Sequence, residues 1–246
     1  MKIISVANHK GGVSKTCTVH NLGKALSLAK KKVLLVDCDA QANLSQVVGM
    51  ADAEKTLVDA LKGKGGLPIY NIEKNLDIVP ANLGLGLVEE ILRSKGIGGY
   101  NILGELLKPL DYDYVLLDCP PSVSIVVSNA FIASTSVLIP VVPESGAIHG
   151  LDNIFTLFMD CLQLNDSISI EGILFTRVKS NTALHKQLME QIKENYQDAY
   201  VFTANIREGI ALAETSTYQS DIFEHAPNSY GAQDYKQLAK ELINKG

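Results

Sequence analysis

The sequence predicts an α/β protein: a doubly wound, mostly parallel sheet with helices on both faces. Short β-rich apolar runs alternate with longer stretches of helical period along all 246 residues. Several of those runs are apolar at successive positions, as strands covered on both faces require. No internal repeat or low-complexity tract breaks the alternation.

The elements follow in order. KIISVAN at residues 2–8 is the first strand and leads through a glycine turn into a helix near 15–31. VLLVDC at 33–38 and LDIVP at 76–80 are the next two strands, and a helical pattern covers 84–108. DYVLLD at 113–118 precedes the apolar stretch 123–142, which is long enough to span a membrane. Ser124, Ser128, Asn129, Ser134, Thr135, Ser136 and Pro140 interrupt it, so it reads as a helix near 122–133 followed by a buried strand at 136–142. A helix near 147–165, a strand at 170–176, a helix near 181–196, a strand at 199–203 and a helix near 230–244 complete the pattern. Lys62-Gly63-Lys64-Gly65-Gly66 is the best candidate for a mobile loop, and nothing beside it marks a domain boundary, so one domain over 1–246 is expected.

Composition is that of a globular chain with an aliphatic core: 46% hydrophobic, 6% aromatic and no Trp. The net charge of -5 means that any nucleic-acid contact must use a local basic patch. Cys17, Cys38, Cys119 and Cys161 are widely spaced with no C-x-x-C pair, which fits reduced thiols better than a disulfide frame or zinc site. The N-terminal apolar run is too short for a signal peptide.

In an open sheet of this kind, ligands bind beyond the carboxyl ends of the strands. The first strand runs into NHKGGVSKT, residues 8–16. Against the general phosphate-loop pattern G-x-x-x-x-G-K-[ST], both glycines are missing, with His9 and Ser14 in their places. Gly11 and Gly12 still let the backbone approach an anion, so that successive N–H groups wrap a phosphate at a helix N-terminus. Lys15 is placed to reach the β- and γ-phosphates, and the Thr16 hydroxyl to bind Mg²⁺. Asp37-Cys38-Asp39 and Asp118-Cys119-Pro120-Pro121 end two more strands. Their carboxylates are hard oxygen donors for Mg²⁺, Asp118 foremost, although each alone could equally cap the next helix.

Five ordered motifs resemble those of the ParA (Soj) ATPases, which position DNA and other cargo within the deviant Walker A group that includes MinD. Lys10 to Thr16 is similar to that family's KGGVGKT, and Asp37 to Asn43 to its DxDPQGN switch segment. Leu76 to Asn82, Tyr112 to Pro121 and Gly231 to Tyr235 match NLDLIPSN, YDYILIDCPPS and GAQAY segments. The resemblance implies a P-loop ATPase that uses ATP and Mg²⁺ and sandwiches ATP in a homodimer, with Lys10 crossing to the partner's nucleotide. It also implies catalytic roles for Lys10, Lys15 and Asp39, the last orienting the attacking water. Nucleotide contacts would come from Lys10, Gly11, Gly12, Val13, Ser14, Lys15, Thr16 and Cys17, with Arg207 and Gly209 near adenine. Thr16, Asp118 and Asp39 would serve the metal. A ParB-like or cargo-adaptor protein would stimulate hydrolysis, and the ATP form would bind nonspecific DNA. The protein would be cytoplasmic and nucleoid-associated when ATP-bound.

Departures from the family pattern bear on rate and on DNA. Ser14 stands for a glycine, Cys17 for a threonine and Ala40 for a proline. Two family arginines are replaced by Glu208 and Ala211, and a third falls on Asn181. The remaining DNA-binding candidates are Arg177, Lys179, Lys186, Lys193 and Arg207, with Lys236, Lys240 and Lys245 on the last helix; singly, each also reads as a solvated face. Cys17, Cys38 and Cys119 near the loop raise oxidation sensitivity against a buried apolar role, and the buried role is the stronger. His9 and His20 lack metal-ligand spacing.

Three other classes stay open. A MinD-like membrane ATPase would use the stripe Leu238, Ala239, Leu242 and Ile243, although no tail is expected beyond that helix, and a membrane is not the expected partner. A nucleotide-gated scaffold with little hydrolysis is kept open by Ser14 and Ala40. A metabolic relative, such as a dethiobiotin synthetase-like ligase or a nitrogenase iron protein, is the third, but the cysteines miss the cluster-ligating motifs.

Overall fold

The computed structural model describes residues 1–179 and 182–245. Its sheet has seven strands in the order β3-β4-β2-β5-β1-β6-β7. These are β1 (Lys2–Val6), β2 (Val33–Asp37), β3 (Tyr70–Glu73), β4 (Leu76–Val79), β5 (Tyr114–Asp118), β6 (Ser136–Val141) and β7 (Ser169–Phe175). Among the described residues only the β3–β4 pair is antiparallel. Helix α1 (Lys15–Leu28) follows β1, and α2 (Asn43–Val47) and α3 (Leu57–Leu61) follow β2. Ahead of β5 come α4 (Leu85–Ser94), a 3₁₀ turn (Gly96–Tyr100) and α5 (Ile102–Leu107). Next come α6 (Ile125–Ala133) before β6 and α7 (Ala147–Cys161) after it. After β7 come α8 (Ala183–Asn195), α9 (Ile210–Tyr218), α10 (Ile222–His225) and α11 (Tyr230–Lys245).

Alternation along the strands splits the core into two layers. Ile4, Val6 and Leu35 face α1 and α11, while Ile3, Leu34 and Val36 face α6 and α7. Burial on both faces accounts for the continuous apolar runs in the sequence. From β1 the chain crosses past β5 to reach β2, and from β5 it crosses past β1 to reach β6. Right-handed crossovers in opposite directions put their helices on opposite faces, and α1 and α6 do lie in different layers. The register brings three strand ends together, with Val6 and Asp37 both paired to Asp118.

The stretch 123–142 is α6 followed by β6, as the sequence predicts. Among the described residues no helix is long and apolar enough to cross a membrane. The stripe considered for membrane binding is core: Leu238, Ala239 and Leu242 are buried in the layer that holds α1. The predicted helix over 84–108 is broken at Gly96 to Tyr100. A Cβ at Gly99 would stand 1.9 Å from the Leu92 carbonyl oxygen, so the chain folds back on α4 more closely than a continuous helix permits. The predicted strand at 199–203 is reduced to a bridge between Val201 and Ile173. Gly172 brings β7 against that segment, where a Cβ would meet Phe202 at 2.7 Å, and the ladder does not continue. Asn181 lies outside the described residues.

At the opposite end of the sheet, Glu171, only 3% exposed, joins three elements. Its carboxylate accepts from Ser136 Oγ at 2.6 Å and from the Nζ atoms of Lys2 and Lys245, both at 3.1 Å. Burial would raise its pKa, but the Ser136 hydroxyl and the two lysines outweigh that and hold it below the ordinary value. Glu171→Gln should cost about 3 kcal/mol at pH 7, because two half-buried ammonium groups lose their partner. A lowered carboxyl pKa contributes fully above the unfolded value of about 4.3 and fades as pH falls through the folded value. Urea melts at pH 7 should therefore separate wild type from variant, and melts near pH 3 should bring them together.

Candidate nucleotide-binding site

The loop after β1 is tied down at both ends. The Asn8 amide donates to the Pro140 carbonyl at 2.8 Å while its Oδ1 accepts from Lys10 N–H at 2.9 Å. On the far side the Thr176 hydroxyl at the end of β7 donates to the Val13 carbonyl at 3.1 Å. Gly12 takes φ 74°, and Ser14, immediately before α1, takes φ 65° and ψ 31°. The left-handed conformation costs a serine about 1 kcal/mol, so the position that carries a family glycine does require a glycine-like backbone.

Lys15 opens α1, and its ammonium turns back into the loop, donating to the carbonyls of Asn8 and Lys10 at 3.1 Å each. Burial lowers its pKa, and Asp118, Cys119 and Asp39 oppose that shift. Lys10 points elsewhere. Its Nζ is 2.9 Å from both Glu144 Oε1 and the Ser145 carbonyl.

Three carboxylates meet at the strand ends in different states. Asp37 is fully buried and works internally, accepting from Ser45 N–H at 2.9 Å, Ser45 Oγ at 2.7 Å and Asp39 N–H at 3.1 Å. Burial still pushes it up to about 6. Asp39 accepts from Gln41 N–H at 2.9 Å at the start of the turn into α2. Asp118 is 1% exposed, and neither of its carboxylate oxygens has a hydrogen-bond partner among the described residues. Burial pushes its carboxyl well above the ordinary range, and Asp37 adds to this. The Thr16 hydroxyl lies near enough to pull it partway back, and Lys15 acts in the same direction. A buried carboxylate with no donor is costly, and a hard cation would relieve it. Among the described residues no three His, Cys, Asp or Glu side chains form a metal cage alone, so a cation here would also need oxygens from a ligand.

A cavity of about 930 Å³ opens over the loop. Of the residues predicted to serve a nucleotide, Gly11, Gly12, Ser14, Lys15, Thr16, Cys17, Asp39, Arg207 and Gly209 line it. Lys10 and Val13 are not in the lining, and Val13 is buried in the core. Asp118, which is buried, is not in the lining. Cys17 faces Tyr235 and Asn21, with Sγ distances of 3.5 and 3.4 Å. Burial raises the pKa values of Cys17, Cys38 and Cys119, the last to about 12, so these are packed thiols and not thiolates.

Sequence reasoning missed several lining residues, His20 and Arg177 among them. His20 lies one turn beyond Thr16 on α1, and burial lowers its pKa to about 4. Its i, i+4 spacing from Thr16 was the available signal. Arg177, read as a DNA contact, lines the same cavity. Most of the DNA candidates, Arg177 included, are engaged. Arg177 and Lys179 both pair with Glu208, Lys193 with Glu190, and Arg207 with Asp234. Arg207 Nε is 3.1 and 3.0 Å from the two Asp234 oxygens, and its guanidinium lies 4.1 Å from the Tyr230 ring centroid. Lys186, Lys236 and Lys240 are exposed.

Sheet order, loop and helix together define a P-loop nucleoside triphosphatase fold. A family model described as "AAA domain" matches residues 1–170. The sporulation initiation inhibitor protein Soj of Bacillus subtilis is 36% identical, covering 100% of this chain and 99% of its own. The chromosome partitioning protein ParA of Caulobacter vibrioides is 30% identical, covering 100% and 95%. Among solved structures, the cobyrinic acid a,c-diamide synthase of Mycobacterium smegmatis with bound ATP analog and magnesium superposes with a TM-score of 0.87. It is 27% identical, with 99% of this chain and 95% of that chain covered. This chain belongs to the ParA/Soj family of partitioning ATPases.

Proposed function

We propose that this protein is an ATP-dependent dimerising switch, a single P-loop ATPase domain that binds nonspecific DNA in its ATP form and positions or segregates DNA or other cargo. The observation that carries this is the opposed direction of the loop's two lysines. Lys15 is turned into the loop beneath the cavity, and Lys10 is turned out of it toward Glu144. A loop lysine that avoids its own pocket suits delivery to a second chain's nucleotide, where it would act as an arginine finger does.

In the working site, Lys15 and the loop N–H groups would bind the phosphates, and Asp39, at the cavity edge, would orient the attacking water. Thr16 would hold Mg²⁺, with Asp118 behind it and Asp39 beside it. The orphaned Asp118 carboxylate supports that assignment. Bound Mg²⁺ neutralises phosphate charge. Arg207 and Gly209 would flank adenine. Relatives carrying the names Soj and ParA support partition over the metabolic alternative, and a ParB-like or adaptor protein would stimulate turnover.

DNA would meet Lys186, Lys236 and Lys240 first, since the other candidates carry carboxylate partners. The patch would need doubling in the dimer, and its binding would weaken steeply with salt. Gel shifts of random-sequence DNA with ATP, ADP or no nucleotide, over a salt series, test the reading. The expected result is an ATP-specific, salt-sensitive shift; equal shifts with ADP would sink the switch. Ser14 favours a second reading, a nucleotide-gated scaffold with negligible hydrolysis, because its side chain sits where the loop needs a glycine-like backbone. Phosphate release with DNA and partner present separates the two.

A further inference from the structure

Arg177 stands at the end of β7 with φ 49°, a left-handed conformation that costs a non-glycine residue about 1 kcal/mol. Strain of this kind persists where the surroundings fix it, and such residues cluster at functional sites. Its surroundings are well fixed: the preceding Thr176 is hydrogen-bonded to the phosphate loop through the Val13 carbonyl. The Arg177 side chain turns toward the same loop. Nη1 is 3.5 Å from the Gly12 carbonyl, and Nη2 is 3.2 Å from Glu208 Oε1. The guanidinium therefore bridges the loop and the segment carrying Gly209, and it lines the cavity between them.

A count of the cations around that cavity makes the position informative. Lys15 is held by main-chain carbonyls, and Lys10 is outside the lining. Arg207 spends its fork on Asp234. Arg177 has one carboxylate contact, and that carboxylate is shared with Lys179, whose Nζ lies 3.3 Å from Glu208 Oε2. Its side chain is 51% exposed, leaving N–H groups free to turn. A magnesium–nucleotide complex retains negative charge, and a planar guanidinium at the rim of an N–H-lined loop is suited to a phosphate oxygen.

We infer that Arg177 binds a phosphate of the nucleotide held by its own chain, with Glu208 as the tether that aims it, and that it is not a DNA contact. This rests on the nucleotide-binding reading above. The test is calorimetric titration of the full chain with MgATP, MgADP and adenosine, using Arg177→Gln, Arg177→Lys and, as a surface control, Lys95→Gln. Arg177→Gln should weaken ATP and ADP binding at least about tenfold and leave adenosine affinity within twofold. Arg177→Lys should fall between Arg177→Gln and wild type, and Lys95→Gln should match wild type. The nucleotide-free melting temperature reports whether each variant folds. Unchanged ATP and ADP affinity in Arg177→Gln overturns the inference. So does an equal loss for adenosine, which would mean a distorted pocket, or a loss of the DNA shift at saturating ATP with nucleotide affinity intact. Failure of wild type to bind any nucleotide overturns the underlying reading and takes this inference with it, a result distinct from the others.

Discussion

Asp118→Asn should make the nucleotide-free protein more stable while weakening its use of magnesium. The wild-type carboxyl is buried, neither oxygen has a hydrogen-bond partner among the described residues, and burial and Asp37 raise its pKa more than the nearby Thr16 hydroxyl lowers it. Whether it sits there as an anion or takes up a proton at neutral pH, holding it costs free energy. A neutral amide of the same shape removes the charge penalty, so the melting temperature without nucleotide should rise by about 2–4 °C for each kcal/mol recovered. The same change removes the oxygen charge behind Thr16, and affinity for MgATP should fall about 10–100-fold, the usual consequence of losing a group that supports a metal site. Binding of ATP with EDTA present should fall less than MgATP binding, since the loop N–H groups are untouched and Lys15 loses only the Asp118 charge that opposes its lowered pKa. Differential scanning calorimetry and titrations with and without Mg²⁺ check both halves. A lower melting temperature together with unchanged MgATP affinity would remove Asp118 from the metal site.

Lys10→Ala should abolish ATP-dependent dimerisation and leave the monomer nearly unchanged. The partners of this lysine are Glu144, whose side chain is 50% exposed, and the Ser145 carbonyl. A surface pair of that kind contributes less than about 1 kcal/mol, so the melt should barely move. Nucleotide affinity of the isolated chain should also hold, since Lys10 does not line the cavity. Sedimentation velocity with a non-hydrolysable ATP analogue should show monomer for the variant and dimer for wild type. Partner-stimulated turnover should drop by about 10³-fold or more, the scale on which a cation supplied in trans acts. A variant that dimerises normally would exclude the trans role.

The parts legible in the sequence are those fixed by local chemistry. Buried strands such as Val33–Asp37 read directly because both faces are apolar, and the loop residues lie within nine consecutive positions. What failed depended on neighbours far along the chain. The edge strand Tyr70–Glu73 has three half-covered residues and one exposed, and among the described residues its ladder is to β4 alone. The break in 84–108 arises because Gly99 packs on the Leu92 carbonyl and is held by Asn129, whose amide donates to the Gly99 carbonyl at 2.7 Å. Arg177 reads from the sequence as a DNA candidate through the family resemblance or as part of a solvated face, and neither reading places it at the phosphate loop. Its true neighbours, Gly12 and Glu208, are 165 and 31 residues away and arrive only through sheet order. Arg207 is similar, since Asp234 lies 27 residues on.

If the outward-set Lys10 acts in trans as proposed, a chain's defects need not fall on its own active site. A Lys10→Ala chain would then keep an intact pocket and receive a lysine from its neighbour, and an Asp118→Asn chain would have a damaged pocket and a lysine to lend. Mixed in equal amounts, two inactive preparations should therefore regain turnover at one site of each hybrid dimer, so that alleles of this gene would complement one another between subunits.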